Sequence, residues 1–269
     1  NLDAVIIASP TAFHFDHILL AAKAGKHIFC EKPVDLDYEK VKTISETVES
    51  AGIHFMLGFN RRFDPNIMQL KKAIKMGKVG TPRIIKITSR DPEPPPIDFI
   101  KNSGGLFLDM TIHDFDISTY LIEDEVVKVT ANGRVFGDLE MEKYDDIDTA
   151  VITLIFKKGC MVQIDNSRYC SYGYDQRIEV FGEKGMVATQ NILEDKIITA
   201  DELGHHNSRA KFFFIERYTD SYRNELIDFV ATLQNKKAPS VSAKDGLASL
   251  AIAIAAKRSL QENIPVNLS

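Results

Sequence analysis

The first 60 residues alternate short apolar runs with helical periods, and that alternation leaves few ways to fold. Ala4-Val5-Ile6-Ile7-Ala8 is a continuous apolar run that stops at Ser9-Pro10, the pattern of a strand buried on both faces. Phe15, Ile18, Leu19 and Ala22 then recur at helical spacing, and Gly25 stops that helix. His27-Ile28-Phe29-Cys30 predicts a second strand, ending at Glu31-Lys32-Pro33. Val41, Ile44 and Val48 share one face of a second helix, with Asp37 as its N-cap and Gly52 at its stop. Residues 53–58 predict a third strand. Strand-helix-strand-helix-strand implies parallel strands joined by right-handed crossovers.

After Gly58 the pattern changes. One helix is predicted over residues 65–76, and strands follow at 83–88, 126–136, 149–156, 161–166, 177–181 and 186–189. Gly159 and Gly182-Glu183-Lys184-Gly185 mark hairpin turns, residues 92–96 are a proline-rich loop, and helices around 218–230 and 243–261 close the chain. The expected fold class is α/β followed by α+β. Residues 1–60 form a parallel piece and residues 61–269 carry a mostly antiparallel sheet with flanking helices.

Composition narrows the function. Lys+Arg 33 against Asp+Glu 38 leaves a net charge of -5 on 269 residues, which argues against nucleic acid or a polybasic membrane patch as partner. No apolar stretch approaches the roughly 18–20 residues of a membrane span, and no secretory signal precedes Asp3. Cys30, Cys160 and Cys170 are odd in number and form no CxxC pair. Reduced thiols in a cytoplasmic protein are expected, rather than disulfides or a zinc site.

Ligands of open α/β sheets bind beyond the carboxyl ends of the strands. Two such ends carry polar residues, Ser9-Pro10-Thr11 and Glu31-Lys32-Pro33. Pro33 biases Lys32 to an extended conformation, which would project its ammonium from a rigid strand end; a plain surface charge pair is the alternative. A second cluster runs Gly104-Gly105-Leu106-Phe107-Leu108-Asp109-Met110-Thr111-Ile112-His113-Asp114-Phe115-Asp116. Asp109 and His113, four apart, share a face if the segment is helical, and a histidine beside a carboxylate suits a general base. A capped helix with a structural histidine, or half of a metal site, would read the same way. No third metal ligand is evident, since His205-His206 falls in a predicted loop and Cys160 and Cys170 are not spaced to help.

Together, Ala8-Ser9-Pro10-Thr11-Ala12-Phe13-His14, Glu31-Lys32-Pro33 and Asp109-Met110-Thr111-Ile112-His113 resemble the Gfo/Idh/MocA family of NAD(P)-dependent sugar and polyol oxidoreductases. The segment from Ser89-Arg90-Asp91-Pro92 to Asp116 is similar to the inositol 2-dehydrogenase branch. The resemblance covers essentially the whole chain. It implies a Rossmann domain and an open-faced sheet domain, the latter often joining homodimers or homotetramers. It also implies that Lys32 hydrogen-bonds the reacting hydroxyl, that His113 accepts its proton, and that Asp109 binds a second hydroxyl and orients the pair. By the same resemblance, Ser9, Thr11, His14, Glu31 and Lys32 meet the cofactor, and Arg62 (or Arg61), Asp91 and Tyr174 meet the substrate. Tyr218 and Tyr222 are expected in a helix core, with Tyr222 able to reach the pocket. No metal is required by this route.

One departure from the family is large. Its opening strand, GxGxxG turn and helix, which cradle a pyrophosphate, have no counterpart here, because the first glycine is Gly25. The chain is therefore expected to carry the last three parallel strands of a Rossmann domain, with residues 4–8 an unpaired apolar edge prone to aggregation. The residue that would choose NAD or NADP lies outside it. The expected reaction is oxidation of myo-inositol to its 2-keto form with NAD. A member acting on another sugar, or a non-catalytic sugar-binding, cofactor-binding or regulatory protein on the same scaffold, are the alternatives; Lys32, Asp109 and His113 together favour an enzyme.

Overall fold

A computed structural model describes residues 2–268. β1 (Ala4–Ile7), β2 (His27–Glu31) and β3 (Phe55–Gly58) form a parallel sheet in the order β1-β2-β3. α1 (His14–Lys23) and α2 (Tyr38–Ser50) are the crossovers. The Asp37 carboxylate caps α2, accepting from the Glu39 and Lys40 amides at 2.8 and 3.2 Å. All four β3 residues are buried. β1 stands at the sheet edge with Ile6 62% exposed, the unpaired apolar edge that the sequence implies.

A single-turn helix (Asn60–Phe63) leads into α3 (Pro65–Lys75), whose Asp64 cap and first-position Pro65 fix its start. The larger sheet contains β4 (Pro82–Arg90), β5 (Val126–Arg134), β6 (Thr149–Phe156), β7 (Met161–Ser167), β8 (Asp175–Gly182), β9 (Gly185–Ala188) and β12 (Val266–Asn267). Its order is β12-β5-β6-β7-β4-β8-β9, antiparallel except for β4 beside β7. Along β6, Ala150, Ile152, Leu154 and Phe156 are buried while Val151 and Thr153 face outward, so the sheet is covered on one side only.

Four segments differ from the sequence reading. The proline run is followed by a helix, α4 (Ile97–Ser103). The segment after it splits into α5 (Leu106–Asp109) and α6 (Ile112–Ile122). Residues 198–207, where His205-His206 was read as loop, form a hairpin of β10 (Ile198–Asp201) and β11 (Gly204–Asn207). Finally, β12 extends the sheet beside β5. A hairpin without a buried face has no alternating apolar signal, which is why β10 and β11 were not legible. The covering helices are completed by α7 (Phe214–Arg217), α8 (Thr219–Asn235) and α9 (Ala243–Glu262). Among the described residues no helix is long and apolar enough to cross a membrane, and Cys30, Cys160 and Cys170 are buried and unpaired.

One hydrophobic core runs through both sheets, from Ile7 and Leu57 to Ile164 and Ala256. α9 carries it across. A Cβ on Gly246 would lie 2.8 Å from Leu57 Cδ2, so the glycine lets this helix lie close on β3 without displacing the Leu57 side chain. The Leu57 amide donates to the Val241 carbonyl at 3.1 Å. A buried ion pair reinforces the join: the Arg62 guanidinium donates to Asp116 on α6 at 2.6 and 2.9 Å, and to Asp245 on α9 at 2.9 Å. Stranding such a charge costs about 3–5 kcal/mol. Asp116→Ala is therefore expected to lower unfolding stability by about that amount, read by denaturant titration. A loss near zero would contradict the structural role of Arg62.

Candidate active site

Lys32, just past the carboxyl end of β2, meets α5 at its Asp109 end. The Lys32–Pro33 peptide is cis, and the Lys32 side chain reaches across to α5. Its Nζ donates to the Asp109 carbonyl at 2.9 Å and to Asp109 Oδ1 at 3.3 Å. Asp109 ends α5 and His113 opens α6, so the two do not share one helix; a turn through Met110 and Thr111 separates them. Before α5, the chain is separated from α4 by Gly104 and Gly105, both with φ above +80°. A Cβ on Gly105 would lie 2.8 Å from Asp146 Oδ1, the atom that accepts the Leu106 amide at 2.7 Å. Only glycine fits there, and the bonded carboxylate sets where α5 starts.

These groups open onto a cavity of about 580 Å³, within the range of small-molecule sites. Lys32, Asp109, His113, Asp91 and Tyr174 all line it. Arg62, expected at the substrate edge, does not, because its guanidinium is tied to Asp116 and Asp245. The cavity arginine is its neighbour Arg61, held by Asp114 at 2.6 Å and packed over the Tyr218 ring at 5.6 Å. Adjacent arginines leave a single-turn helix in different directions, and sequence spacing alone did not say which one faced the ligand.

Electrostatics differentiate the groups. Burial holds the His113 imidazole well below its ordinary pKa, and the Lys32 and Arg61 charges push the same way. His113 is thus neutral at pH 7, and its Nδ1 has no hydrogen-bond partner among the described residues. Asp109 turns to Lys32 and Arg168 rather than to His113. Burial pushes Asp91 up to about 6, against the pull of Arg61 and Arg168. Asp91 is thus an acceptor that switches on above mildly acidic pH. Burial raises Glu31 as well, with the Lys32 amide and charge opposing.

Of the expected cofactor residues, Lys32 lines the cavity, while Ser9, Thr11, His14 and Glu31 lie apart from its wall. Ser9 and Thr11 sit at the β1 end and in the turn after it. His14 is buried, its ring nitrogens 2.7 and 2.9 Å from the Ser9 and Pro33 carbonyl oxygens. It clasps the two strand-end loops together and is not open to a ligand. Glu31 Oε2 would lie 3.0 Å from a Cβ on Gly58, so the glycine leaves room for that carboxylate. Ser9 and Thr11 at the β1 end and Glu31 and Lys32 at the β2 end put polar side chains at two neighbouring strand ends, while no glycine-rich turn for a pyrophosphate occurs in this sequence.

Sequence reasoning allowed Tyr222 to reach the pocket but missed several other wall residues. Tyr218 and Tyr222 line the cavity, Tyr218 meeting Tyr174 edge-on at 6.1 Å. Phe213 and Phe214 form its outer rim. Arg168 is fully buried in its wall. Glu225 on α8, raised to about 9 by burial and by the Glu31 charge, sits behind Tyr222 as a neutral carboxyl. No sequence signal marked Arg168: it comes to the wall because β4 and β7 run parallel with Arg90 opposite Ser167, so the residues just past them, Asp91 and Arg168, emerge together.

Comparison with known proteins agrees with this geometry. Residues 71–268 match the model of the oxidoreductase family C-terminal alpha/beta domain, and residues 1–59 match that family's NAD-binding Rossmann fold. The chain is 48% identical over 268 residues to a myo-inositol 2-dehydrogenase of Thermotoga maritima, covering 100% of this chain and 80% of the relative. A solved structure of a probable dehydrogenase from Thermotoga maritima superposes with TM-score 0.98 at 48% identity, covering 99% of this chain and 80% of that one. A scyllo-inositol dehydrogenase from Lactobacillus casei, solved with NAD(H) and scyllo-inositol bound, superposes with TM-score 0.92 at 31% identity, covering 99% and 80%. With both parts matched, and Lys32, Asp109 and His113 meeting in one cavity, the chain belongs to the Gfo/Idh/MocA oxidoreductase family.

Proposed function

We propose that the protein oxidises a secondary hydroxyl of a cyclic polyol, myo-inositol to its 2-keto form, with NAD as acceptor. The observation that carries this reading is the convergence of the Lys32 ammonium, the Asp109 carboxylate and a neutral His113 on one cavity at the carboxyl end of a parallel sheet. A polyol ring is polar around its edge and apolar on its faces. The cavity matches that division, with Asp91, Asp109 and Arg61 as polar groups and Phe213, Phe214 and Tyr174 as flat apolar ones. The inositol-named relative and the neighbour solved with NAD(H) and scyllo-inositol support the substrate class and the choice of NAD over NADP.

Within this reading, Lys32 donates to the reacting oxygen and stabilises it as its proton departs. His113 receives that proton, which its neutral state allows. Asp109 accepts from a neighbouring hydroxyl while holding Lys32. Asp91 and Tyr174 set the ring's rotation. Bound NAD would supply the hydride acceptor, held by Ser9, Thr11 and Glu31 at the strand ends. Residues 1–60 would serve the cofactor, and residues 61–269 the substrate and assembly. The outward face of the larger sheet, with Val151, Met161 and Phe181 exposed, would join a homodimer or homotetramer. The unpaired cysteines fit a cytoplasmic setting.

Two outcomes are expected. Lys32→Ala and His113→Ala should each lower kcat/KM for myo-inositol by about 10²–10⁴ with an unchanged circular-dichroism spectrum; near-normal turnover in either would exclude the mechanism. The pH profile should fall on the acid side. Asp91 loses its proton through about 6, so its acceptor form is present above that pH and is lost below it. kcat/KM should drop below pH about 6, and Asp91→Asn should give a lower value that stays flat across that range.

A further inference from the structure

We propose that Arg168 is a positioning residue, wedged between Asp109 and Asp146, that fixes the Asp109 carboxylate against Lys32 and supplies the cationic field in which Asp91 works. This rests on the polyol-oxidising reading of the cavity, because it concerns the two carboxylates that would hold the substrate's hydroxyls.

Arg168 is among the largest fully buried side chains in the molecule, and its side chain is only 1% exposed. A buried guanidinium is normally tied tightly, as Arg62 is to Asp116 at 2.6 and 2.9 Å. Arg168 is not. Its Nη1 lies 3.6 Å from Asp109 Oδ2 and its Nη2 lies 3.6 Å from Asp146 Oδ2. Nε and Nη2 have no hydrogen-bond partner among the described residues. An arginine kept only for packing would be costly in this state. What it does do is span two carboxylates with different anchors. Asp146 is bonded to the main chain, its Oδ1 accepting from the Leu106 and Ile147 amides at 2.7 and 2.8 Å. Asp109 lies at the cavity, with Oδ1 given to Lys32 and Oδ2 facing Arg168. The guanidinium thus references Asp109 to the fixed start of α5. Held between two cations, the Asp109 carboxylate keeps one orientation and Lys32 keeps its place.

Arg168 and Asp91 line the same cavity, and the guanidinium charge opposes the burial that raises Asp91. The parallel β4–β7 pair ends with the Asp91 amide donating to the Ser167 carbonyl at 2.9 Å, which places the next residue, Arg168, beside it. The other charged groups acting on Asp91 are Arg61, Asp109 and Asp114. Of the two cations, Arg61 is already committed to Asp114 at 2.6 Å, so Arg168 is the one with donors to spare.

The test compares Arg168→Gln and Arg168→Lys with the wild type, alone and in an Asp109→Asn background. The first readout needs no substrate: the Asp91 carboxyl is titrated by carbon NMR. Removing the charge in Arg168→Gln should move the midpoint up by about 1 unit from its value near 6, and Arg168→Lys should leave it near wild type. The second readout is turnover of myo-inositol. Arg168→Gln should lower kcat/KM about 10²-fold in the wild type, as for a misplaced catalytic group, and less than about threefold in the Asp109→Asn background, because the effect passes through Asp109. An unmoved Asp91 midpoint, or equal falls in both backgrounds, would overturn the proposal. If Arg168→Gln does not fold, Arg168→Lys carries the test. It keeps the charge and loses the span, so kcat/KM should fall about tenfold in the wild type only, and an equal fall in both backgrounds again overturns it. A wild-type protein that neither binds nor oxidises myo-inositol would refute the polyol reading, and the substrate-free titration would still decide the role of Arg168.

Discussion

Much of the site's organisation depends on one contact, that between the Lys32 ammonium and Asp109, residues 77 positions apart. The lysine belongs to the parallel sheet and the aspartate to the helices covering the larger sheet. Neither layer makes a site alone: the first supplies a cation at a strand end, the second supplies carboxylates and a histidine. Their meeting requires the seam to be rigid, and the core supplies that rigidity. α9 packs on β3 with no side chain at Gly246 to hold it off, and Arg62 bonds α6 and α9 from below.

Charge is distributed unevenly around the cavity, and that unevenness assigns the roles. Lys32, Arg61 and Arg168 are cations lining one cavity. Burial, with the Lys32 and Arg61 charges pushing the same way, keeps His113 neutral, which suits the proton-accepting role proposed for it. Arg61 and Arg168 oppose the burial that raises Asp91 and leave it titrating near 6. Behind them Glu225 stays protonated beside Glu31, so the strand end does not carry two full negative charges against each other. One small space therefore holds carboxyl groups with quite different proton affinities, each set by its neighbours.

How far the sequence could be read varied with the kind of information involved. The three-stranded layer was legible because its strands are short continuous apolar runs and its helices carry one-sided apolar stripes, both local patterns; that the first run would leave Ile6 exposed at an edge instead of burying both faces was decided by the sheet order. Asp37 as a cap was legible for the same reason: its bonds reach only two and three residues along. The choice between Arg61 and Arg62 was not legible. Both follow β3 directly, and what separates them is Asp114 for one and Asp116 with Asp245 for the other, partners more than 50 positions away. His14 was expected to meet a ligand and instead clasps Ser9 and Pro33, because the strand-end loops come within reach of one ring only when the sheet is assembled. Tyr218 read as core because its position on the helix period is apolar; it is buried, and it also closes the cavity from behind.

Sequence by itself determined the order of the layers, the parallel direction of the first three strands, and the short motifs that carry Lys32, Asp109 and His113. These rest on local periods and on short motifs, which need no knowledge of distant partners. Only the tertiary structure decided which arginine faces the cavity, that Asp109 turns to Lys32 and Arg168 rather than to His113, and that Arg168 stands beside Asp91. Those outcomes depend on β4 running parallel to β7 and on where α5 breaks from α6. The physical reason is that a buried charge takes its meaning from the groups folded against it, and those groups come from all along the chain.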